Sequence, residues 1–259
     1  MDPTPVVELC ALTRTFEGRV AVDALDLVVH AGEFFAFLGP NGAGKSTTIK
    51  VMAGMLRPTS GAARVLGYDV SREPLEVKRR IGVLPEDIQL YERLTPLETV
   101  HLIGSLYGLD HAECGRRAGE LFDLLELSAA DRGRMIIDFS MGMKKKVALA
   151  CALLHGPKLL FLDEPFNGID AITTRAIKDA LVEATGRGVT VFFSSHILEQ
   201  VERLCTRIGI IQSGRLKALG TLPEIRASLG ADSEATLEDV FVRIVGGDRV
   251  AKGRLEFLG

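Results

Sequence analysis

The amino-acid sequence predicts an α/β protein in which a parallel sheet is joined by a smaller antiparallel β unit and a helical insertion. Short apolar runs typical of buried strands alternate with helical patterns over most of the chain. A glycine-rich turn joins one of these runs to a helix, and residues from about 85 to 155 carry amphipathic helical patterns with little β signal. With 259 residues, 47% of them hydrophobic, the chain can bury a substantial core.

The elements follow from the pattern in chain order. Residues 6–12 and 19–29 are rich in apolar and β-branched side chains around an EGR turn, which predicts an antiparallel pair. Residues 33–38 form an apolar strand, and a helical pattern at 45–56 ends at a turn over 57–61. Further helical stretches are expected at 97–107, 112–127 and 143–154, strands at 158–162, 189–194, 208–212 and 215–219, and an amphipathic piece at 236–245. We expect one domain over 1–235, with residues of about 86–155 inserted in its α/β core, and a short C-terminal extension over 236–259.

Composition narrows the function classes. Lys and Arg number 31 against 34 Asp and Glu, a net charge of -3 that argues weakly against a general nucleic-acid binder. The four cysteines lie far apart and form no C-x-x-C pair: Cys10, Cys114, Cys151 and Cys205. Neither a zinc site nor a disulfide framework is therefore expected, and the pattern indicates a reducing compartment. The N-terminus lacks a secretory pattern, and no apolar run reaches the roughly 18 residues that span a bilayer, so we expect a soluble protein.

The glycine-rich turn matches the phosphate-binding pattern G-x-x-x-x-G-K-[ST], between an apolar strand and a helix. Glycines let successive backbone N–H groups converge on phosphate oxygens, and the helix N-terminus favours the same anion. Lys45 is expected to reach the β- and γ-phosphates of a nucleotide, and the Ser46 hydroxyl to ligate Mg²⁺. The predicted phosphate-binding residues are Gly39, Pro40, Asn41, Gly42, Ala43, Gly44, Lys45, Ser46 and Thr47.

Polar residues follow two later strands. Asp163 and Glu164 end the apolar run LLFL, which places Asp163 beside the phosphate loop as a Mg²⁺ ligand and Glu164 as the group that polarises an attacking water. Without the phosphate motif, Asp163 and Glu164 would be interpreted as two acidic residues in a surface loop after a strand, which is a common arrangement. His196 follows the strand VTVFF, and its imidazole could hydrogen-bond a γ-phosphate, although a single His at a strand end is usually structural.

The order of these motifs resembles the ATP-binding subunit of an ABC transporter over almost the whole chain. The resemblance identifies residues 39–46 with the Walker A motif, 159–164 with Walker B, 167–170 with the D-loop and His196 with the switch histidine. It implies a RecA-like P-loop ATPase core with an antiparallel β subdomain and a helical signature subdomain. Phe16 stands where the family places the aromatic side chain that stacks on adenine, and a core role on an edge strand is the alternative.

The resemblance also implies a partner-completed site, because ATP in this family lies between two head-to-tail subunits. The second subunit presents a signature motif, commonly L-S-G-G-Q, where this chain has Phe139-Ser140-Met141-Gly142-Met143. Ser140 and Gly142 are kept, and with them a hydroxyl, backbone N–H groups and a helix N-terminus aimed at phosphate. The three lysines that follow, at 144–146, fan around the helix, and we expect surface solvation to explain most of them.

A second departure lies at the Q-loop, where Glu86 replaces the usual glutamine and Gln89 is the alternative. Because a carboxylate repels phosphate unless Mg²⁺ lies between, Glu86 is predicted both as a nucleotide contact and as a metal ligand. Pro85-Glu86, the variant signature and the tail at 237–241 resemble the ATPases of type-2 exporters.

The resemblance implies an ATPase that closes as a dimer on two MgATP, with Glu164 and His196 catalytic, and drives export through a separate permease. A homodimer or a pairing with a related subunit, and a place on the inner face of the cell membrane, are expected. A coupling groove near 86–94 could use Leu90, Tyr91 and Leu94, which could equally be core residues. The alternatives are a soluble ABC protein acting on ribosomes or DNA, whose usual insertions are not found in this sequence, and a regulatory nucleotide binder.

Overall fold

The structure, a computed structural model, describes residues 4–232 and 234–246. Its strands are β1 (Pro5–Phe16), β2 (Arg19–His30), β3 (Phe34–Leu38), β4 (Ser60–Val65), β5 (Tyr68–Asp69), β6 (Ile81–Leu84), β7 (Leu159–Asp163), β8 (Thr190–Ser195), β9 (Arg207–Gln212) and β10 (Arg215–Gly220). Its α-helices are α1 (Lys45–Met52), α2 (Pro74–Lys78), α3 (Pro96–Leu106), α4 (His111–Leu124), α5 (Ala129–Arg132), α6 (Met141–Leu153), α7 (Ala171–Gly186), α8 (Leu198–Leu204), α9 (Leu222–Ser228) and α10 (Leu237–Gly246), with a 3₁₀ turn at Ile136–Asp138.

A six-stranded sheet in the order β10-β9-β3-β8-β7-β6 forms the centre of the protein. Its strands run parallel except β10, which pairs antiparallel with β9. In the ladder Leu38 lies opposite Ser195, and Asp163 lies opposite Ser194, so the carboxyl ends of β3, β7 and β8 meet at one edge. This arrangement confirms the predicted α/β class and brings the loops after these strands together.

Both faces of the central sheet are buried, as β3 illustrates. Phe34, Ala36 and Leu38 pack into a core shared with α3, α4, α6, α7 and the C-terminal helices. Phe35 and Phe37 pack on the opposite face, against α1 and the strands of the second sheet. A strand covered on both faces has no solvent side, which explains the continuous apolar run in the sequence.

The second sheet is antiparallel, in the order β2-β1-β4-β5, and its β1–β2 pairing confirms the predicted early pair. The predicted turn over 57–61 is wrong at its end, because β4 begins at Ser60 and pairs with β1. Helix α1 ends at Met52, four residues before the predicted end at 56. Gly54 then takes a left-handed φ of 65°, which stops the helix.

Between β6 and β7 the described chain forms helices, at α3 to α6 and the 3₁₀ turn. The division of the chain into a domain over 1–235, with an insertion over about 86–155, and an extension from 236 stays a prediction. The predicted amphipathic piece at 236–245 is helix α10, whose Leu237 and Val240 are fully buried in the main core. The remainder of the predicted extension, residues 247–259, lies outside the described residues.

The expectation that surface solvation explains the three lysines of α6 is wrong. Lys145 is 3% exposed and Lys146 is 7% exposed, whereas Lys144 is partly exposed and pairs with Glu92 at 2.6 Å. The physical reason is that apolar residues occupy α6 on every side, with Val147, Leu149 and Ala150 all fully buried. A helix that is apolar all round is buried, so even its charged side chains point into protein.

No α-helix of the described residues has both the length and the apolar composition to cross a membrane. The four cysteines are free thiols, in agreement with the prediction that they form no disulfide framework.

Candidate functional site

A cavity of about 500 Å³ opens where the carboxyl ends of the parallel strands meet. Its lining includes most of the predicted nucleotide-binding residues: Phe16, Asn41, Gly42, Ala43, Gly44, Lys45, Ser46, Thr47, Glu86 and Glu164. Arg19 and Ala21, at the start of β2, also line it and were not predicted. No motif marks Arg19 in the sequence, because it enters the site only through the pairing of β2 with β1.

The glycine-rich loop after β3 has the backbone that the phosphate motif requires. Gly44 has a φ of 109°, and a Cβ there would lie 2.4 Å from the Ala21 carbonyl oxygen, so only glycine fits. Gly44 is also the N-cap of α1 and provides no side-chain cap. The first N–H groups of α1 therefore face the cavity mouth without a side-chain acceptor, as an anion site needs.

The Lys45 ammonium is buried within this loop at 6% exposure. It donates a hydrogen bond to the Gly39 carbonyl at 2.7 Å and lies 3.5 Å from the Pro40 carbonyl. It also lies 3.4 Å from Oε1 of Glu164. A cation held between the loop and a carboxylate is positioned to meet the outer phosphates of a nucleotide.

The two predicted carboxylates stand side by side at the end of β7. Asp163 is 3% exposed and accepts a 2.6 Å hydrogen bond from the Ser194 hydroxyl. The backbone N–H of Glu164 donates to the same hydroxyl at 3.0 Å. Ser194 therefore orients both acids, a role that sequence analysis missed. The only available signal was its place at the end of the neighbouring strand.

The Glu164 side chain is 5% exposed, and its backbone has a left-handed φ of 48°, which is uncommon for a residue other than glycine. Nδ1 of His196 lies 3.0 Å from Oε2 of Glu164. Oε1 is buried and accepts no hydrogen bond among the described residues, although Lys45 lies nearby. A buried carboxylate oxygen without a donor is costly unless something fills the space beside it, such as a water or a cation.

The oxygen donors around the cavity suit a hard divalent cation. Ser46, Glu86 and Glu164 line the cavity, and Asp163 precedes Glu164 without lining it. Their hydroxyl and carboxylate oxygens are the ligand types that Mg²⁺ prefers. In residues 4–232 and 234–246, no three His, Cys, Asp or Glu side chains are grouped closely enough to hold a metal ion by themselves. The protein therefore offers a partial ligand set of the kind that phosphate oxygens and water complete.

Phe16 is 40% exposed at the rim of the cavity, in place of the core position that was its alternative. The guanidinium of Arg14 lies over its ring, 4.3 Å from the centroid, and donates to the Arg57 carbonyl at 3.0 Å. One face of the ring is therefore supported by Arg14. A flat ring supported in this way can present its other face to a base.

The signature residues lie apart from the cavity of their own chain. Ser140 is exposed at the N-cap of α6, where its hydroxyl accepts a hydrogen bond from the Met143 N–H at 3.2 Å. Gly142 is buried, and a Cβ added there would lie 3.0 Å from Oγ1 of Thr173. Neither residue lines the chain's own nucleotide cavity. Their contact with the nucleotide of a second subunit stays a prediction.

At the Q-loop, Glu86 lines the cavity, whereas Gln89 hydrogen-bonds Asp87 at 3.0 Å. Among the residues considered for a coupling groove, Tyr91 is 68% exposed and Leu90 is partly buried against the core. Of these two, Tyr91 is the more available for a partner.

Comparison with known proteins gives consistent matches. A family model described as ABC transporter matches residues 22–167. The daunorubicin/doxorubicin resistance ATP-binding protein DrrA of Streptomyces peucetius is 40% identical over 231 residues, which cover 89% of this chain and 70% of that protein. The linearmycin resistance ATP-binding protein LnrL of Bacillus subtilis is 38% identical over 222 residues, covering 86% and 71%.

A solved dimeric structure of an ATP-binding cassette in a post-hydrolysis state, bound to ADP and Pi, has a TM-score of 0.78 with this chain. It is 25% identical and covers 83% of this chain and 98% of its own. Its fold matches that of this chain, which confirms the prediction of a cassette architecture.

Proposed function

Because the chain belongs to the ABC transporter ATP-binding family and is an ATPase subunit of that kind, we propose that its cavity binds MgATP and that Glu164 orients the water that attacks the γ-phosphate. One observation carries this assignment. The buried Glu164 carboxylate is held between Lys45 at 3.4 Å and His196 at 3.0 Å, with Oε1 left free of hydrogen bonds among the described residues. A free, fixed acceptor beside the phosphate-binding lysine is the requirement for holding a water in line with the transferring group.

The other residues of the cavity bind and stabilise charge. Phe16 stacks on the base, and the N–H groups of 42–47 and the Lys45 ammonium hold the phosphates. Ser46, Asp163 and Glu86 would hold Mg²⁺, and the bound ion would offset the phosphate charge. His196 donates to Glu164 and lies at the γ-phosphate end of the site. Catalysis here is positioning together with charge stabilisation.

The full site needs a second copy of the chain or a related subunit. Ser140 is exposed at the N-terminus of α6 and Gly142 is buried two residues on, both outside their own cavity, and α6 has no acidic residue in its first turn. A helix start of this kind favours a phosphate brought to it by a partner. The dimeric ADP-bound cassette of the same fold supports such an assembly.

The work done with ATP is transport through a separate permease, docked near the exposed Tyr91 at the inner face of the cell membrane. Several relatives are named as drug-resistance ATP-binding proteins, which supports the type-2 exporter branch that the motifs predicted. These relatives favour transport over a role on ribosomes or DNA. The catalytic arrangement favours an active ATPase over a regulatory nucleotide binder.

The test is Glu164→Gln in the purified full chain. The amide keeps the shape and loses the acceptor charge, so turnover is expected to fall on the order of 100-fold or more while ATP binding persists. Turnover is measured by phosphate release and binding by a fluorescent ATP analogue. Glu183→Gln is the matched control, because Glu183 pairs with the exposed Arg187 at 2.7 Å on α7. Full turnover in Glu164→Gln would contradict the assignment.

A further inference from the structure

Lys145 is a buried lysine whose hydrogen bonds all go to one loop. Its Nζ donates to the carbonyl oxygens of Glu164 at 3.0 Å, Pro165 at 3.2 Å and Asn167 at 2.6 Å. An ammonium group has three protons, so this loop takes all of them. The side chain is 3% exposed, and the charge is therefore held largely away from water.

Burying a charge in this way is costly, which makes the choice of partners informative. Desolvation lowers the pKa of Lys145, and the negative charges of Glu164 and Glu86 oppose that shift. The neighbouring lysines do not share these contacts. Lys144 pairs with Glu92, and Lys146 donates to the Glu126 carbonyl at 3.3 Å. The loop that Lys145 contacts runs from the catalytic carboxylate to the start of α7.

A second contact joins the same two elements. Gly142, one turn before Lys145 on α6, approaches Thr173 so closely that an added Cβ would lie 3.0 Å from its Oγ1. Thr173 donates its N–H and hydroxyl to Asp170, the N-cap of α7. The start of α6 is thus joined to residues 164–173 by a buried ammonium and by close backbone packing.

We propose that Lys145 is a positioning residue that fixes the backbone of Glu164–Asn167 to helix α6, so that the Glu164 carboxylate and the Ser140 end of α6 move as one unit. The inference rests on the proposed role of Glu164 as the water-orienting group. In a head-to-tail dimer, Glu164 serves the chain's own ATP and Ser140 serves the partner's ATP. Lys145 therefore links the two ATP sites through a single chain.

The test compares Lys145→Met with Lys146→Met in the full chain. Methionine keeps the unbranched stem, one atom shorter than lysine, and removes the ammonium, so both variants lose a buried lysine of α6. Lys145→Met is expected to lower kcat on the order of 10-fold to 100-fold, because the Glu164 backbone is released. ATP affinity, which depends on the loop at 39–47, is expected to stay within about twofold. Lys146→Met is expected to retain kcat within about threefold, whatever its loss in Tm.

Conservative variants complete the design. Lys145→Arg keeps the charge and several N–H donors and is expected to recover kcat at least in part relative to Lys145→Met. If Lys145→Met does not fold, Lys145→Gln, which keeps two N–H donors, is measured in its place. Its kcat is expected to lie between that of wild type and the value expected for Lys145→Met.

The proposal is overturned if kcat of the Lys145 variant is unchanged, or if kcat falls equally in the Lys145 and Lys146 variants at equal loss of Tm. Glu164→Gln is measured in parallel. If Glu164→Gln loses turnover and Lys145→Met keeps the wild-type kcat, only the positioning role of Lys145 is overturned. Full turnover in Glu164→Gln overturns the assignment of Glu164, and the link through Lys145 with it.

Discussion

At the scale of single residues, Gly142 shows how one position can serve two needs. As a signature residue it leaves its N–H group near the start of α6, where a partner's phosphate is expected. As a packing residue it leaves room for Thr173, whose Oγ1 would lie 3.0 Å from an added Cβ. The second need follows only from the contact between α6 and α7.

Gly142→Ala is therefore predicted to destabilise the chain although alanine is the better helix former. Alanine gains up to about 1 kcal/mol in a helix, whereas overpacking a tight contact costs roughly 1–3 kcal/mol. We expect a net loss of about 1 kcal/mol in the free energy of unfolding, measured by urea titration. In a Thr173→Ala background the loss should shrink or reverse, because the clashing atoms are gone.

The control for this prediction is Gly119 in α4, where an added Cβ meets nothing within 4 Å. Gly119→Ala is expected to stabilise the chain by up to about 1 kcal/mol. If Gly142→Ala lowers the free energy of unfolding equally in the wild-type and Thr173→Ala backgrounds, the contact with Thr173 is not the cause of the destabilisation.

At the scale of elements, α4 is fastened to the end of α6 by a charged cluster. Arg117 donates to Glu113 at 2.7 Å and to the Leu154 carbonyl at 3.0 Å. Arg116 also donates to Glu113, at 2.8 Å. Hydrogen bonds from Arg116 and Arg117 lower the pKa of Glu113 to about 2 from a usual value of 4.5.

This shift predicts how acid affects the contact between the two helices. A depressed carboxyl pKa stabilises the folded state above the unfolded pKa, so the contribution of Glu113 is complete above about 4.5 and is lost towards about 2. Glu113→Gln should lower the urea midpoint at pH 7, and the difference from wild type should shrink at pH 3.5.

Glu120→Gln is the control for Glu113→Gln, because Glu120 is 65% exposed and contacts the same Arg116 at 2.6 Å. Such exposed pairs contribute little, so its effect should be smaller at pH 7. A difference for Glu113→Gln that is the same at pH 7 and pH 3.5 would contradict the role of its charge.

At the scale of the whole molecule, the cavity and the signature helix of one chain face different ATP sites in the proposed dimer. Ser140→Arg is predicted to abolish nucleotide-driven dimerisation, since the large side chain fills the place where the partner's phosphate would lie. The measurement is sedimentation of the Glu164→Gln chain with ATP, with and without this change.

Ser128→Arg is the matched control, because Ser128 is an exposed serine that caps α5 through the Asp131 N–H at 3.2 Å. It should lose about 1 kcal/mol of stability, as other N-cap changes do, and keep dimerisation. If the Glu164→Gln chain that also carries Ser140→Arg dimerises at the same ATP concentration as the chain without it, the assignment of the signature motif is contradicted.

Much of the site followed from the sequence because its chemistry lies in short motifs after apolar strands. The phosphate loop follows β3, Asp163 and Glu164 stand at the end of β7, and His196 follows β8. Parallel strands bring their carboxyl ends to one edge, so motifs far apart in the chain had to meet there. The order of these motifs also identified the family before any contact was known.

The tertiary structure decided the groups that hold this machinery in place. Ser194 orients Asp163 and Glu164 from 31 and 30 residues away, and Lys145 fixes the Glu164 loop from 19 residues away. Arg14 supports Phe16 by contact with Arg57, 43 residues on. These side chains have ordinary local sequence contexts, and a lysine run by itself predicts a solvated surface. Their partners are set by which elements pack together, so their roles follow only from the tertiary contacts.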